Sequence, residues 1–269
     1  MTTEELFALA DLPALHERAA EEVRKAPRDA GARALFVQVL CMEGDWLRAE
    51  SQADALMKLS PASAMFCASV SGLVAAERRR EAVFSGQAAP VWTGERPRFA
   101  DAWEAAMQAY AAGDASQGAA RTVRVLEMLS EVPVSFSSGC SSAWMQDGDA
   151  RLAGVLELIK GDVYSLVDLA SAVSLEVAKP SHPVEVLWPH VRLCLRNGDV
   201  QAGRMPGRYP VHAGEESAAL LMARESSWDE CAGGLFTGRG QRCWSTPEGL
   251  VPMLAECSLR FGNPVFDAE

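Results

Sequence analysis

Pro27 and Pro61 stand 34 residues apart, and the segment between them reads as two helices joined by one tight turn. Proline lacks the amide proton a helix needs and crowds the preceding turn, so each of the two marks a helix boundary. Between them Ala34, Phe36, Val37 and Leu40 recur at helical spacing up to Gly44, a residue suited to the left-handed conformation of a helix end. Asp45 is placed to cap a second helix, which carries Trp46, Ala49, Ala53, Leu56 and Leu59 and stops at Ser60-Pro61. A single hairpin of this kind cannot bury its apolar face alone, so it must stack on neighbouring helices.

Thirty-four residues is the period of the tetratricopeptide repeat. A second Gly-Asp pair, Gly113-Asp114, follows the first after about two such periods and again separates apolar helical stretches, Ala100 to Ala112 and Ala115 to Leu129. The alternative is an ordinary helical bundle in which the two prolines fall at this spacing by coincidence. Upstream, Thr2 and Glu5 form a possible capping box, and Asp11-Leu12-Pro13 opens a helix carrying Leu15, Ala19 and Val23. Glycines and prolines from Gly86 to Pro97 make an internal linker, and the run Arg78-Arg79-Arg80 reads as the solvated end of a helix.

The serines between Pro133 and Ser142 mark a change of pattern. The expected organisation is a helical domain over 1–135, a Ser-rich linker over 136–144 and a second domain over 145–269. That second domain opens with a helix from Ala150 to Lys160. Val184 to Trp188 and Val191 to Leu195 then read as strands, and Asn197-Gly198 is the preferred pair for a tight hairpin turn. Further strands are expected at Ala218 to Arg224, Gln241 to Ser245 and Leu254 to Leu259. The fold class is therefore multi-domain: a tetratricopeptide-like helical superhelix followed by a small α+β domain.

Composition excludes several functions. The net charge is −11, spread over both halves, and there is no basic stripe, which argues against a nucleic-acid backbone or an anionic membrane surface as partner. The uncharged stretch from Leu59 to Ala76 contains Pro61, Gly72 and four serines, so it reads as a buried helix rather than a membrane span. No secretory signal opens the chain, and the expected location is the cytoplasm. The seven cysteines include no Cys-x-x-Cys pair, and Cys41, Cys67, Cys194 and Cys257 sit in apolar contexts, as reduced core residues do.

The motifs that resemble chemistry each fail on context. Gly139-Cys140-Ser141-Ser142-Ala143, followed by Asp168 and His182, is half of a nucleophile elbow, but no strand is expected before it. His190 and Cys194 would sit too far apart along a strand to share a metal, and His16, His182 and His212 are isolated. Asp147 and Asp149 are read as helix caps. Gly238-Arg239-Gly240 lacks the lysine of a phosphate loop. The expectation is a non-enzyme with neither cofactor nor metal.

Motifs of the second half, in order, are Leu187-Trp188-Pro189, Pro206-x-Arg208-Tyr209-Pro210, Arg224-x-Ser226-x-Trp228 and Gly238-x-Gly240-Gln241-Arg242. Together with Asp147-x-Asp149-x-Arg151 and the hairpin around Gly44-Asp45-Trp46, they resemble the ImpE/TagJ family of type VI secretion accessory proteins. Two departures are local: Tyr164-Ser165-Leu166-Val167-Asp168 stands where that family tends to have Tyr-x-Trp-x-Pro, and Trp188-Pro189-His190 where it tends to have Trp-x-Pro-Ala. The resemblance implies a non-catalytic adaptor that binds the amino-terminal helix of the small (TssB-like) sheath subunit and assists recruitment of the ClpV-like disassembly ATPase. Candidate groove residues for such a helix, by analogy with stacked helical hairpins, are Arg33, Phe36, Gln38, Met42, Trp103 and Tyr110. Asp147, Asp149, Arg151, Trp188, Arg208, Tyr209, Pro210, Arg224, Trp228, Gln241 and Arg242 are expected to be structural. A repeat scaffold for some other helical partner is the alternative.

Overall fold

The computed structural model describes residues 1–211 and 217–262, so His212 lies outside the described residues. Seven helices come first: α1 (Thr3–Ala8), α2 (Leu12–Lys25), α3 (Ala30–Glu43), α4 (Trp46–Leu59), α5 (Ala64–Phe84), α6 (Ala100–Ala111) and α7 (Ala115–Met128). Thr2 and Glu5 make the reciprocal capping box, while Asp11, Asp29, Asp45 and Asp114 each accept a first-turn amide. Gly44 ends α3 at φ +75°, the left-handed conformation its position requires. Below it the α3–α4 hairpin closes around Leu40, Ala49, Ala53 and Leu56, all fully buried.

An antiparallel sheet follows the helices. Its strands are β1 (Val134–Phe136), β2 (Ser141–Ser142), β4 (Val155–Lys160), β5 (Val163–Asp168), β6 (Ala172–Val177), β7 (His190–Leu195), β8 (Val200–Arg204) and β13 (Ser258–Phe261), in the order β2-β1-β13-β6-β7-β8-β4-β5. Beside it β3 (Gln146–Asp147), β11 (Cys243–Thr246) and β12 (Gly249–Pro252) form a three-stranded sheet, and β9 (Ser226–Glu230) pairs with β10 (Phe236–Gly240). A short helix, α8 (Ala218–Leu221), precedes β9.

Alternation along β4 and β5 divides the interior. Val155, Ile159, Tyr164 and Leu166 face the helices and share one core with Leu40, Val74 and Trp103. Leu156, Leu158 and Val167 face the other way and pack with Leu175, Leu193, Trp244 and Leu259. The core under the helices is therefore continuous with one face of the sheet.

Several expected elements differ. Ala150 to Lys160 is a single 3-10 turn (Ala150–Leu152) followed by strand β4, because Val-Leu-Glu-Leu-Ile is buried on both faces and pairs with Val163–Asp168 across the Gly161 turn. Val184 to Trp188 begins as the 3-10 turn Pro183–Val186, and Ala218 to Leu221 is helix α8, capped by Ser217. Met253–Ala255 is likewise a 3-10 turn ahead of β13. The serine-rich stretch is no free linker: Val134 and Ser135 pair with Ser142 and Ser141 at the edge of the large sheet. The glycine- and proline-rich segment after α5 docks too, Trp92 lying beside Leu166 of β5.

Candidate functional site

Helix α5 carries two ionisable side chains into the shared core. Glu77 and Arg80 lie on the face that also buries Leu73, Val74, Ala76 and Val83, so neither reaches water. Opposite them, strand alternation turns Glu157 of β4 toward the same core at 0% exposure. Arg80 grips that carboxylate with two donors, Nε to Oε1 at 2.6 Å and Nη2 to Oε2 at 2.9 Å. Such a two-point guanidinium–carboxylate pair fixes orientation as well as charge. Nη2 of Arg80 also donates to the carbonyl of Arg208 at 3.0 Å.

Glu157 then hands the network to the β domain. Its Oε1 accepts the Tyr164 hydroxyl at 2.7 Å, and its Oε2 accepts Arg242 Nη1 at 2.8 Å. Arg242, fully buried, donates Nε to Asp147 Oδ2 at 2.6 Å and lies 5.2 Å above the Trp244 ring. Asp147 Oδ1 accepts the Asp149 amide at 2.8 Å and the Tyr209 hydroxyl at 3.1 Å. Asp149 in turn binds Arg151 (Nη2 to Oδ2, 2.6 Å) and the Gly238 amide at 3.0 Å.

Aromatic and arginine side chains bolt the helices to this centre. Trp188 donates Nε1 to Glu77 at 2.7 Å, Trp46 to Glu81 at 2.6 Å, and Trp103 to the Arg151 carbonyl at 2.6 Å. Arg208 reaches the last turn of α3, donating to the carbonyls of Met42 at 2.6 Å and Cys41 at 3.1 Å, and it also binds the Leu221 carbonyl. A cation there meets the negative end of the helix, where the last carbonyls lack the i+4 amide of the helix interior. Arg224 donates to the Phe7 carbonyl at 3.2 Å, and Gln241 to that of Ala223 at 2.9 Å. Trp228 packs edge-on against Tyr209, and Pro210 is buried next in the chain.

Burial by itself would raise the Glu157 carboxyl, but Arg80 and Arg242 outweigh it and hold the group below the ordinary carboxylate range. Asp147 goes the other way: burial pushes it up to about 6 against the pull of Arg242, and neighbouring Asp149 adds to the rise. The Tyr164 hydroxyl is driven well above its usual range by burial and then by Glu157. A proton donor or acceptor must be reachable by a reacting molecule to do acid–base work. The cleft of about 250 Å³ between Phe99, Leu129, Met145 and Leu169 is lined by other residues. Ser141 and Ser142 hydrogen-bond to Ser135 and Glu248, and Asp168 to the Ala170 amide.

The residues expected from the sequence divide sharply. All of Asp147, Asp149, Arg151, Trp188, Arg208, Tyr209, Pro210, Arg224, Trp228, Gln241 and Arg242 gather at or beside this junction. The groove set does not form one open surface, because Phe36, Met42 and Trp103 are buried in the core. Arg33, bound to Gln52 at 2.6 Å, Gln38, and Tyr110, bound to Thr122 at 3.2 Å, remain half-exposed. Arg80 corrects the reading of its arginine run: Arg78 pairs with Glu50 on the surface, but Arg80 turns inward at 1% exposure. Two sequence signals mark what was missed. Glu77 and Arg80 interrupt an apolar helical face at i and i+3, and Glu157 stands inside the otherwise apolar run Val155 to Ile159.

The junction's β-domain residues fall within a segment, 139–259, that matches the model of the ImpE protein family. Over that segment the chain is similar to the ImpE family. Along nearly its whole length it is similar to the type VI secretion system accessory component TagJ of Pseudomonas aeruginosa, with 28% identity over 263 residues, covering 97% of this chain and 91% of that protein. A crystal structure of a Vibrio parahaemolyticus protein from a structural genomics effort superposes with a TM-score of 0.89 at 25% identity, covering 98% of this chain and 99% of that one. The likeness to these two proteins thus extends over the helical half. Among the described residues no helix is long and apolar enough to cross a membrane, and no three His, Cys, Asp or Glu are grouped to hold a metal ion.

Proposed function

We propose that this protein is a non-catalytic accessory component of a type VI secretion system, an adaptor that binds the amino-terminal helix of the small (TssB-like) sheath subunit and assists recruitment of the ClpV-like ATPase. The observation that carries the reading is the similarity to TagJ across 97% of the chain, helical half included. The buried junction supports it, since a network whose carboxylates and guanidinium groups answer one another inside the protein serves to hold two halves in fixed relation. In this reading 1–135 is the partner-binding half, 145–269 is its brace, and 136–144 joins them. Arg33, Gln38 and Tyr110 offer side chains to the partner, while Phe36, Met42 and Trp103 set the shape of the helices beneath. The work is done in the cytoplasm, without a cofactor.

Calorimetry of the full chain with a synthetic peptide of the sheath subunit's first helix tests this. Binding should depend on the peptide's apolar anchors, with a loss of about 1–3 kcal/mol when a central one becomes alanine. No binding to any sheath component would leave a scaffold for another helical partner.

A further inference from the structure

A second surface lies between helix α5 and the β domain, lined by none of the junction's charged residues. Between the first half of α5 and the edge of β8 runs a groove of about 530 Å³, walled on the helix side by Ala68, Ser69, Gly72 and Leu73 and floored by Ile159 and Gly203. Apart from Leu73, its helix wall is made of small residues. Gly72 is required there, because a Cβ would stand 2.9 Å from the Gly161 carbonyl oxygen of the β4–β5 turn.

Strand β8 is paired along its whole length with β7 but meets β4 only at Arg204, opposite Ile159. Gly203 makes that single crossing possible, since a Cβ on it would lie 2.5 Å from the Ile159 carbonyl oxygen. In an antiparallel strand, backbone groups point to alternate sides, so Val200 and Ala202 turn theirs the same way as Arg204, toward the groove. Among the described residues no strand meets them there. An unpaired edge of this kind is a template for an added strand.

The groove's charge opposes that of the chain. The ionisable residues lining it are Lys160, His190 and Arg204, all bases, on a protein of net charge −11. Glu185 acts on His190 and Arg204 from outside the groove, and Asp162 follows Gly161 in the turn. Burial and Arg204 together keep His190 below the usual histidine range, so at neutral pH Lys160 and Arg204 carry the positive charge.

The geometry points to a docking site for an extended, acidic peptide segment of a partner protein, which adds to β8 at Val200–Ala202 and sets its carboxylates against Lys160 and Arg204. An extended chain fits better than a helix, whose diameter of about 10 Å would separate its backbone from the amide of Ala202. None of Arg33, Gln38 and Tyr110, the side chains offered to the sheath helix, lines this groove, so its failure would leave the sheath reading intact.

The test is a display library of random nine-residue peptides sorted against the full chain and against Ala202→Pro. That proline removes an amide pointing away from β7 and so leaves the β7–β8 ladder in place. Enriched peptides are expected to alternate β-branched residues, to carry Asp or Glu, and to bind Ala202→Pro at least tenfold more weakly at an unchanged thermal midpoint. Should Ala202→Pro lose its fold, Lys160→Glu, at an exposed side chain, supplies the second arm: the same peptides should weaken at least tenfold. No enrichment over background, enrichment of basic or helix-patterned peptides, or peptides indifferent to the folded variants would overturn the assignment.

Discussion

Replacing Glu157 by glutamine changes one oxygen to an amide in the middle of the junction. The carboxylate accepts four hydrogen bonds, from Arg80 Nε at 2.6 Å and Nη2 at 2.9 Å, Arg242 Nη1 at 2.8 Å and Tyr164 at 2.7 Å. Glutamine keeps one acceptor oxygen and turns two N–H donors toward guanidinium donors, leaving two arginines without their shared counter-charge. Removing one member of a buried ion pair costs about 3–5 kcal/mol, most of it the desolvation of the stranded charge. For a chain of this size a kilocalorie shifts the thermal midpoint by about 2–4 °C, so Glu157→Gln should lower it by roughly 10 °C. Urea titration followed by far-ultraviolet circular dichroism measures the loss directly. Arg80→Met should cost a comparable amount, and the double variant less than the sum, because the two changes remove one interaction. A loss under about 1 kcal/mol for Glu157→Gln would refute the reasoning, since water must then reach the site.

Three further outcomes follow from individual contacts. Trp188→Phe keeps an aromatic ring, though a smaller one, but removes the donor to buried Glu77, and should cost about 1–3 kcal/mol in the same urea titration. Gly203→Ala places a Cβ 2.5 Å from the Ile159 carbonyl oxygen and should lower the thermal midpoint by several degrees while leaving α-helical dichroism intact. Asp147 titrates near 6 when folded, above its ordinary value of 3.8, so its folded form takes up a proton first. Its contribution to stability is full below pH 3.8 and is lost as the pH rises through 6. Comparing the wild type with Asp147→Asn from pH 5 to 7.5 should show this fall in the wild type alone. Glu157, held low, acts in the opposite sense and loses its contribution only as the pH falls below the carboxylate range.

Local signals carried much of the fold. The α3–α4 hairpin was legible because Pro27, Gly44, Asp45 and Pro61 act within a few residues of themselves, and Asn197-Gly198 marked the β7–β8 hairpin for the same reason. The Val155 to Lys160 run was misread as helix because burial on both faces erases the alternation that distinguishes a strand. Ala218 to Leu221 is too short for either periodicity to register. At the junction, Asp147, Arg208, Tyr209 and Arg242 stood out in the sequence, whereas Arg80 and Glu157 did not. The two lie 77 residues apart, and within the arginine run only the i, i+3 spacing from Glu77 on an apolar helical face sets Arg80 apart from its two neighbours.

The account rests on the helices and the sheet being held as one body through Arg80, Glu157 and Arg242. Hydrogen exchange followed by mass spectrometry at increasing urea measures this directly, by reading the opening free energy of α3, α5, β4 and β11 separately. The account predicts that all four segments open together, and that in Glu157→Gln they fall together by about 3–5 kcal/mol. Helices α3 and α5 opening at markedly lower urea than β4 and β11 in the wild type would contradict it.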